Sequence, residues 1–346
     1  MPAAIFLTGA LFMGWSLGAN DAASIFGTAV GTKMVRFRTA VLVGSIFIIV
    51  GAVTGGSGST HGLEELGAVD RLPAAFVLSL CAALTVVWII RSGLPVSTSQ
   101  AIVGAIVGWN VFTGRPTEIL LLTRIVGTWV AGPLLAGCFA AILFLVVRLI
   151  VNNANIHLLM LDRYTRGALL IAGAIGAYAL GANNIANVMG VFIDAVPLPA
   201  REFANISLTG EQQLFFLGGL SIAVGMFTYS KRVMMTVGNN LFTLSPVSAF
   251  VVILASALVL LVFSSTSLSH ALVSLGLPPI PLIPVSQSQA CVGAVVGIGL
   301  VKGGWRNINY RLLAKIAVGW VATPIASAIL SYVMLFFMQN VFMQQV

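Results

Sequence analysis

The chain has 346 residues, of which 59% are hydrophobic and only 8% charged, and its mean hydropathy is +1.05. A soluble domain carries about 25% charged residues, so this composition excludes a water-soluble enzyme or binding module and indicates a helical protein of the lipid bilayer. The formal net charge of +8 suggests a nucleic-acid partner only until its distribution is read, because the basic residues sit between apolar segments and form no continuous patch.

Apolar stretches of membrane length follow one another from the N-terminus, separated by short polar breaks. Met1 to Gly14 lacks a basic start and a small-residue cleavage site, and is read as part of the first span, not as a signal peptide. That span runs from about Ala3 to Thr32 and ends at Lys33, Arg36 and Arg38. It contains Gly18-Ala19-Asn20-Asp21, in which Asp21 is the only acidic residue placed well inside a span. An ionised carboxylate in hydrocarbon costs about 2.5–3.5 kcal/mol on insertion scales, so it demands a cation, a proton or a cluster of donors. Gly18 is expected to let the helix unwind. The freed carbonyls, with Asn20 and Asp21, would then form a set of hard oxygen ligands suited to Na+. A carboxylate that merely caps a helix after a break is the plainer reading, and the two roles are compatible.

The second span leads to a loop with Glu64, Glu65 and Asp70, and the third ends at Arg91. The Gly51-Ala52-Val53-Thr54-Gly55-Gly56 run has no Lys-Ser/Thr after it, so it reads as close helix packing and not as a phosphate loop. The fourth span opens with Pro95-Val96-Ser97-Thr98-Ser99-Gln100 and leads to Arg115 and Glu118. The fifth extends from near Arg124 to Arg148, and Asp162, Arg163 and Arg166 follow in a linker. Cys81, Cys138 and Cys291 fall within spans at spacings that fit neither a disulfide framework nor a metal site. His61, His157 and His270 are isolated, and an isolated histidine is more often solvated than catalytic.

Beyond the linker the chain repeats itself. Gly18-Ala19-Asn20-Asp21 returns as Gly181-Ala182-Asn183-Asn184, and Asn187 follows one turn later. Pro95-Val96-Ser97-Thr98-Ser99-Gln100-Ala101 returns as Pro284-Val285-Ser286-Gln287-Ser288-Gln289-Ala290. Trp129-Val130-Ala131-Gly132-Pro133 returns as Trp320-Val321-Ala322-Thr323-Pro324, and Ala75-Phe76-Val77 as Ala249-Phe250-Val251. The expected division is an N-terminal repeat over 1–150, a cytoplasmic linker over 151–166 and a C-terminal repeat over 167–346.

With the N-terminus outside, only Arg71, Arg115, Arg124 and Arg201 of the 17 basic residues fall outside, which is the expected cytoplasmic excess. Five crossings per half is an odd number, so the second half is inserted upside down and both termini lie outside. The charges agree pairwise, with Glu64-Glu65-Asp70 answered by Lys231-Arg232, and Arg115-Glu118 by Lys302, Arg306 and Arg311. Lys302-Gly303-Gly304-Trp305-Arg306 reads as an interfacial anchor. The fold class is an all-α polytopic membrane protein of two inverted repeats, about five membrane segments each, with broken or re-entrant helices at the site.

Ser97, Thr98, Ser99 and Gln100, and again Ser286, Gln287, Ser288 and Gln289, each follow a Pro and precede a Gly/Ala/Val helix, which is the signature of a helix N-terminus. One such block is an ordinary capped helix. Two of them, related by an inverted pseudo-twofold, would both aim positive dipole ends and unpaired N–H groups at the midplane and make an anion site. Asn20 and Asn183 can serve a cation with the amide oxygen and an anion with the amide hydrogens. Asp21, Asn20, Asn183 and Asn184 are thus the candidate Na+ ligands. The Ser-rich blocks with Asn20 and Asn183 are the candidate anion contacts.

These doubled motifs resemble those of the inorganic phosphate transporter family, which carries a Gly-Ala-Asn-Asp-type and a Pro-Val-Ser-Thr-type motif in each of two inverted repeats. The resemblance rests on Gly18 to Ser24 with Gly27-Thr28-Ala29-Val30-Gly31, on Leu94 to Ala105, on Gly181 to Asn187 and on Ile283 to Ala294, and it covers nearly the whole chain. It implies import of inorganic phosphate coupled to Na+, or alternatively H+, with a homodimer as the assembly and the cell or inner membrane as the location. The chain departs from the pattern at Asn184, where the second acid is missing, and at Gln100 and Gln289, where histidine is usual. Sulfate, which some relatives carry, is therefore the alternative substrate. A passive anion channel is a further alternative, and an intramembrane enzyme is disfavoured by the lack of a nucleophile-base pair or metal spacing.

Overall fold

A computed structural model describes residues 3–64, 66–67, 69–91, 95–154, 157–203, 206–231, 233–234, 244–304 and 308–346. Leu94, Glu65, Arg232, Trp305 and Arg306, which entered the motif and topology readings, lie outside the described residues. Six of the described helices are long and apolar enough to cross a membrane.

The first half supplies α1 (Ala3–Gly31), α2 (Phe37–Gly55), the short α3 (Ser57–Glu64), α4 (Leu72–Ile90), α5 (Thr98–Thr113) and α6 (Ile119–Asn153). The second supplies α7 (Leu158–Asn184), the single turn α8 (Ala186–Met189), α9 (Gly210–Thr228), α10 (Pro246–Ser264), the short α11 (Thr266–Ser274), α12 (Gln287–Gly303) and α13 (Tyr310–Asn340). Between α8 and α9 lies an antiparallel hairpin, β1 (Arg201–Phe203) with β2 (Ile206–Leu208), in which Glu202 pairs with Ser207. Helix starts follow local chemistry. Thr209 and Gln212 form a reciprocal capping box on α9, and Ser245 caps α10 just ahead of Pro246.

Packing joins each half to the other. α1 packs against α4 and α9, while α7 packs against α10 and α2; α5 lies on α13 and α12 on α6. Lipid tails offer no hydrophobic drive between helices, so close backbone approach over small residues must supply the cohesion. Glycines supply it at matching places. A side chain at Gly18 would collide with the Ile222 carbonyl of α9, and one at Gly181 with the Ile48 carbonyl of α2. Gly104 lies against the backbone of Pro324, and Gly293 against that of Pro133. The prolines sit inside α13 and α6, so the recurrent Trp-to-Pro segments are the surfaces on which the two small-residue helices seat. Large apolar side chains such as Leu134, Ile142, Val318, Ile325 and Ile329 are exposed along α6 and α13, as a lipid-facing surface requires.

Three features differ from the sequence reading. First, α1 is continuous through Gly18, Asn20 and Asp21. Gly18 serves close approach of α9 instead of unwinding, so the main chain there keeps its helical hydrogen bonds and frees no carbonyl. The interruption occurs in the second copy, where α7 ends at Asn184 and a turn at Ile185 precedes α8. Second, α5 and α12 have only 16 and 17 residues, short of the roughly 20 needed to span. The fourth segment of each half therefore combines an extended entrance, Pro95–Val96 or Pro284–Val285, with a short helix. Third, residues 158–166 of the expected linker are helical, and Asp162 pairs with Arg166 one turn on, at 2.7 Å on α7.

Candidate functional site

Ser97 and Ser286 cap α5 and α12. Their Oγ atoms accept the backbone N–H of Gln100 at 3.2 Å and of Gln289 at 3.3 Å. The prolines stand two residues ahead of the caps instead of in the first helical turn, where they hold the entering chain extended. All eight residues of the two blocks are buried, as are Asn20, Asp21, Asn183, Asn184 and Asn187. The structure thus brings every sequence-derived candidate into the interior.

Asp21 is the only charged side chain buried among the described residues. Three donors surround its carboxylate. The Thr98 hydroxyl donates to Oδ2 at 2.5 Å and the Asn20 Nδ2 to Oδ1 at 3.1 Å. The third is the backbone N–H of Ser288. Two of these come from the first half and one from the first turn of α12, so the carboxylate is held at a junction of the repeats. Hydrogen bonds to an ionised acceptor are about twice as strong as neutral ones. The Val96 carbonyl makes a second junction, since it accepts Asn20 Nδ2 at 2.8 Å and the Ser288 hydroxyl at 2.6 Å. Ser286 and Ser288 hydroxyls lie 3.0 Å apart.

The second half repeats the scaffold with neutral groups. Asn183 spans the entrance to α12, accepting the Val285 N–H at 2.7 Å and donating to the Ile283 carbonyl at 3.3 Å. Asn187 donates to Ser99 Oγ at 2.9 Å, a link from α8 to α5 that matches the cross-half bond to Asp21. Gln287 donates to Ser256 of α10 at 3.3 Å. Asn184 has no partner for either amide atom. Sequence reading missed Val96, Ser256 and the Asn187–Ser99 link. Only the last carried a signal, Asn187 one turn beyond the repeated motif.

Several buried acceptors are unpaired, namely Asn20 Oδ1, Gln100 Oε1, Asn184 Oδ1, Asn187 Oδ1, Gln287 Oε1 and Gln289 Oε1. An unsatisfied buried polar group costs about 1–3 kcal/mol, and so many on the residues of two repeated motifs make this cluster the candidate ligand site. A carboxylate with surplus amide oxygens is the hard donor set that alkali cations take. The same amides and hydroxyls can turn N–H and O–H toward an oxyanion. Because no Lys, Arg or His is buried among the described residues, an anion here would depend on these donors, on two helix N-termini and on co-bound cations.

A second matched pair flanks this cluster. Trp15 Nε1 donates to Thr228 Oγ1 at 2.9 Å, joining α1 to α9, and Thr54 Oγ1 donates to Tyr178 OH at 3.2 Å, joining α2 to α7. Trp15 and Tyr178 stand three residues before Gly18 and Gly181. Thr54 and Thr228 stand three after Gly51 and Gly225, which lie against the carbonyls of Tyr178 and Trp15.

The sequence model of the phosphate transporter family matches residues 17–162, 151–331 and 281–346. Similar proteins include "Putative phosphate permease PF1020" of Pyrococcus furiosus, 25% identical with 92% of each chain covered. The like-named TK2061 of Thermococcus kodakarensis is 27% identical, with 92% of this chain and 93% of its own covered. A solved structure, "The sodium-dependent phosphate transporter", superposes with a TM-score of 0.75 over 98% of this chain and 99% of that one at 20% identity, which shows a shared fold.

Proposed function

The chain belongs to the phosphate transporter family, and from that premise we propose that it imports inorganic phosphate against a gradient by coupling it to Na+, through alternating access between inverted halves. It is a multi-span membrane transporter and not an enzyme. The observation that carries the coupling is Asp21, a buried carboxylate gripped by Thr98 of its own half and by the Ser288 N–H of the other, amid unpaired amide oxygens. A cation bound at Asp21 offsets the carboxylate, and only then can a doubly charged anion approach the N-termini of α5 and α12 without facing a bare negative charge. In this reading Asp21, Asn20, Asn183 and Asn184 serve Na+. Ser97, Thr98, Ser99, Gln100, Ser286, Gln287, Ser288 and Gln289 serve the anion, together with Asn20 and Asn183.

Alternating access draws support from the exchanged packing, in which α1 meets α9 as α7 meets α2, and α5 meets α13 as α12 meets α6. Each half can then take the arrangement of the other. Both termini are assigned to the outside on the distribution of basic residues, and Na+ over H+ is favoured by the name of the structurally similar sodium-dependent transporter.

The test is uptake of labelled phosphate by proteoliposomes, run beside sulfate, under a Na+ gradient, a H+ gradient or neither. Accumulation of phosphate above equilibrium with Na+ alone is the expected result. Flux that ignores both gradients would make the protein a passive channel. Accumulation driven by H+ alone, or of sulfate in preference, would overturn the coupling ion or the substrate.

A further inference from the structure

A cavity of about 460 Å³ lies between α2, α3, α7, α10 and α11. Thr54, Ser57, Tyr178, Ser265, Thr266 and Ser267 line it with hydroxyls, and among the described residues no charged side chain borders it. It has room for on the order of ten waters, and a space so polar among lipid-facing helices is solvated. At its inner end the lining includes Ala182, whose carbonyl accepts the Ser59 hydroxyl at 3.0 Å. The next two residues are Asn183, at the entrance to α12, and Asn184, buried and unpartnered. At the outer end Ser57, Thr266 and Ser267 are exposed. The cavity therefore runs from the protein surface to the residues beside the Asn183–Asn184 side of the candidate site.

We propose that this cavity is the access vestibule through which the oxyanion reaches the site, and that it holds the anion in its hydrated form before water is stripped from it. The inference rests on the transport reading above. Hydroxyls suit this task because they donate to an oxyanion without the full charge that would trap it. The N-termini of α3 at Ser57 and α11 at Thr266 line the cavity beside the last turns of α2 at Thr54 and Gly55 and of α10 at Leu261 and Ser264, so the helix dipoles offset one another and the hydroxyls supply the donors an oxyanion needs. Release from such a neutral lining stays easy, whereas an Arg or Lys there would bind the anion and slow its onward step.

The experiment places single cysteines at Ser267 and Ser57 in a Cys138→Ser background, because Cys138 is exposed while Cys81 and Cys291 are buried. Ser274→Cys, on the exposed far end of α11, serves as the control. Each protein in proteoliposomes is treated with a bulky, membrane-impermeant methanethiosulfonate reagent. The expected result is that labelled Ser267→Cys and Ser57→Cys lose most phosphate uptake, labelled Ser274→Cys keeps it, and phosphate with Na+ slows labelling of the two vestibule positions. Labelled Ser267→Cys and Ser57→Cys with full uptake, or cysteines there that fail to react, would overturn the proposal while leaving the transport reading standing. Untreated wild-type protein that takes up no phosphate would overturn both, and that failure is visible before any reagent is added.

Discussion

On the first half, Asn20 and Asp21 bring a carboxylate to the junction of the repeats, and three donors close around it. On the second half, Asn183 and Asn184 occupy the same positions of the same motif, yet Asn183 braces the entrance to α12 and Asn184 bonds to nothing. The backbone differs just beyond them, since α1 runs on past Asp21 while α7 ends at Asn184, but the packing around them is alike. Gly18 and Gly181 each admit a carbonyl from the opposite half, and Ser97 and Ser286 cap their helices alike. The two copies of the motif thus share a scaffold, which packing constrains at many points, while the side chains at its fourth position differ, one acid and one amide. In the proposed reading, the single carboxylate gives one strong cation position in a pair of otherwise similarly packed places.

The largest break in this comparison is Asp21→Asn. The amide keeps size and can still accept from Thr98, so the protein should reach the membrane in normal amount. Loss of a buried charge from a paired site costs about 3–5 kcal/mol, so Na+-driven uptake should fall by more than a hundredfold. Ser97→Ala and Ser286→Ala should act next and alike. Each removes a cap and a donor to the anion, so the half-saturating phosphate concentration should rise roughly ten- to a hundredfold in each. A rise in only one would mean that the anion sits on one helix and not between two.

Asn184→Asp sharpens the contrast from the other side. A second buried carboxylate demands its own cation, so uptake should depend more steeply on Na+, read as a higher Hill coefficient, with little change at saturating Na+. The smallest effects belong to Trp15→Phe and Tyr178→Phe, which each delete one neutral hydrogen bond between halves. A loss of about 0.5–1.5 kcal/mol predicts a shift of roughly two- to tenfold in transport rate. The shifts should have opposite sense if the two bonds lock opposite faces of the site, read as the ratio of inward to outward exchange.

Much of this site was legible because its signals are local. A Pro-x-Ser block before a small-residue helix states its own N-terminus, and both blocks start helices one residue after the expected serine caps. Membrane spans declared themselves by composition, and the repeat by its anchors. Gly18 was misread because a glycine in a helix serves either a break or a close approach, and only the position of Ile222, far along the chain, decides which. Val96 was invisible for a similar reason, since its contribution is a main-chain carbonyl whose donors come from Asn20 and Ser288. The pairing of Gly104 with Pro324 and of Gly293 with Pro133 likewise gives the repeated Trp-to-Pro segment a purpose that no periodicity within either half reveals.

The most direct test of the central claim, that Asp21 holds the cation on which anion binding depends, is phosphate binding to purified protein by calorimetry with and without Na+. Wild type should bind phosphate only when Na+ is present, and Asp21→Asn should bind weakly and to the same extent in either condition. Phosphate binding by Asp21→Asn that retains the wild-type dependence on Na+ would contradict it.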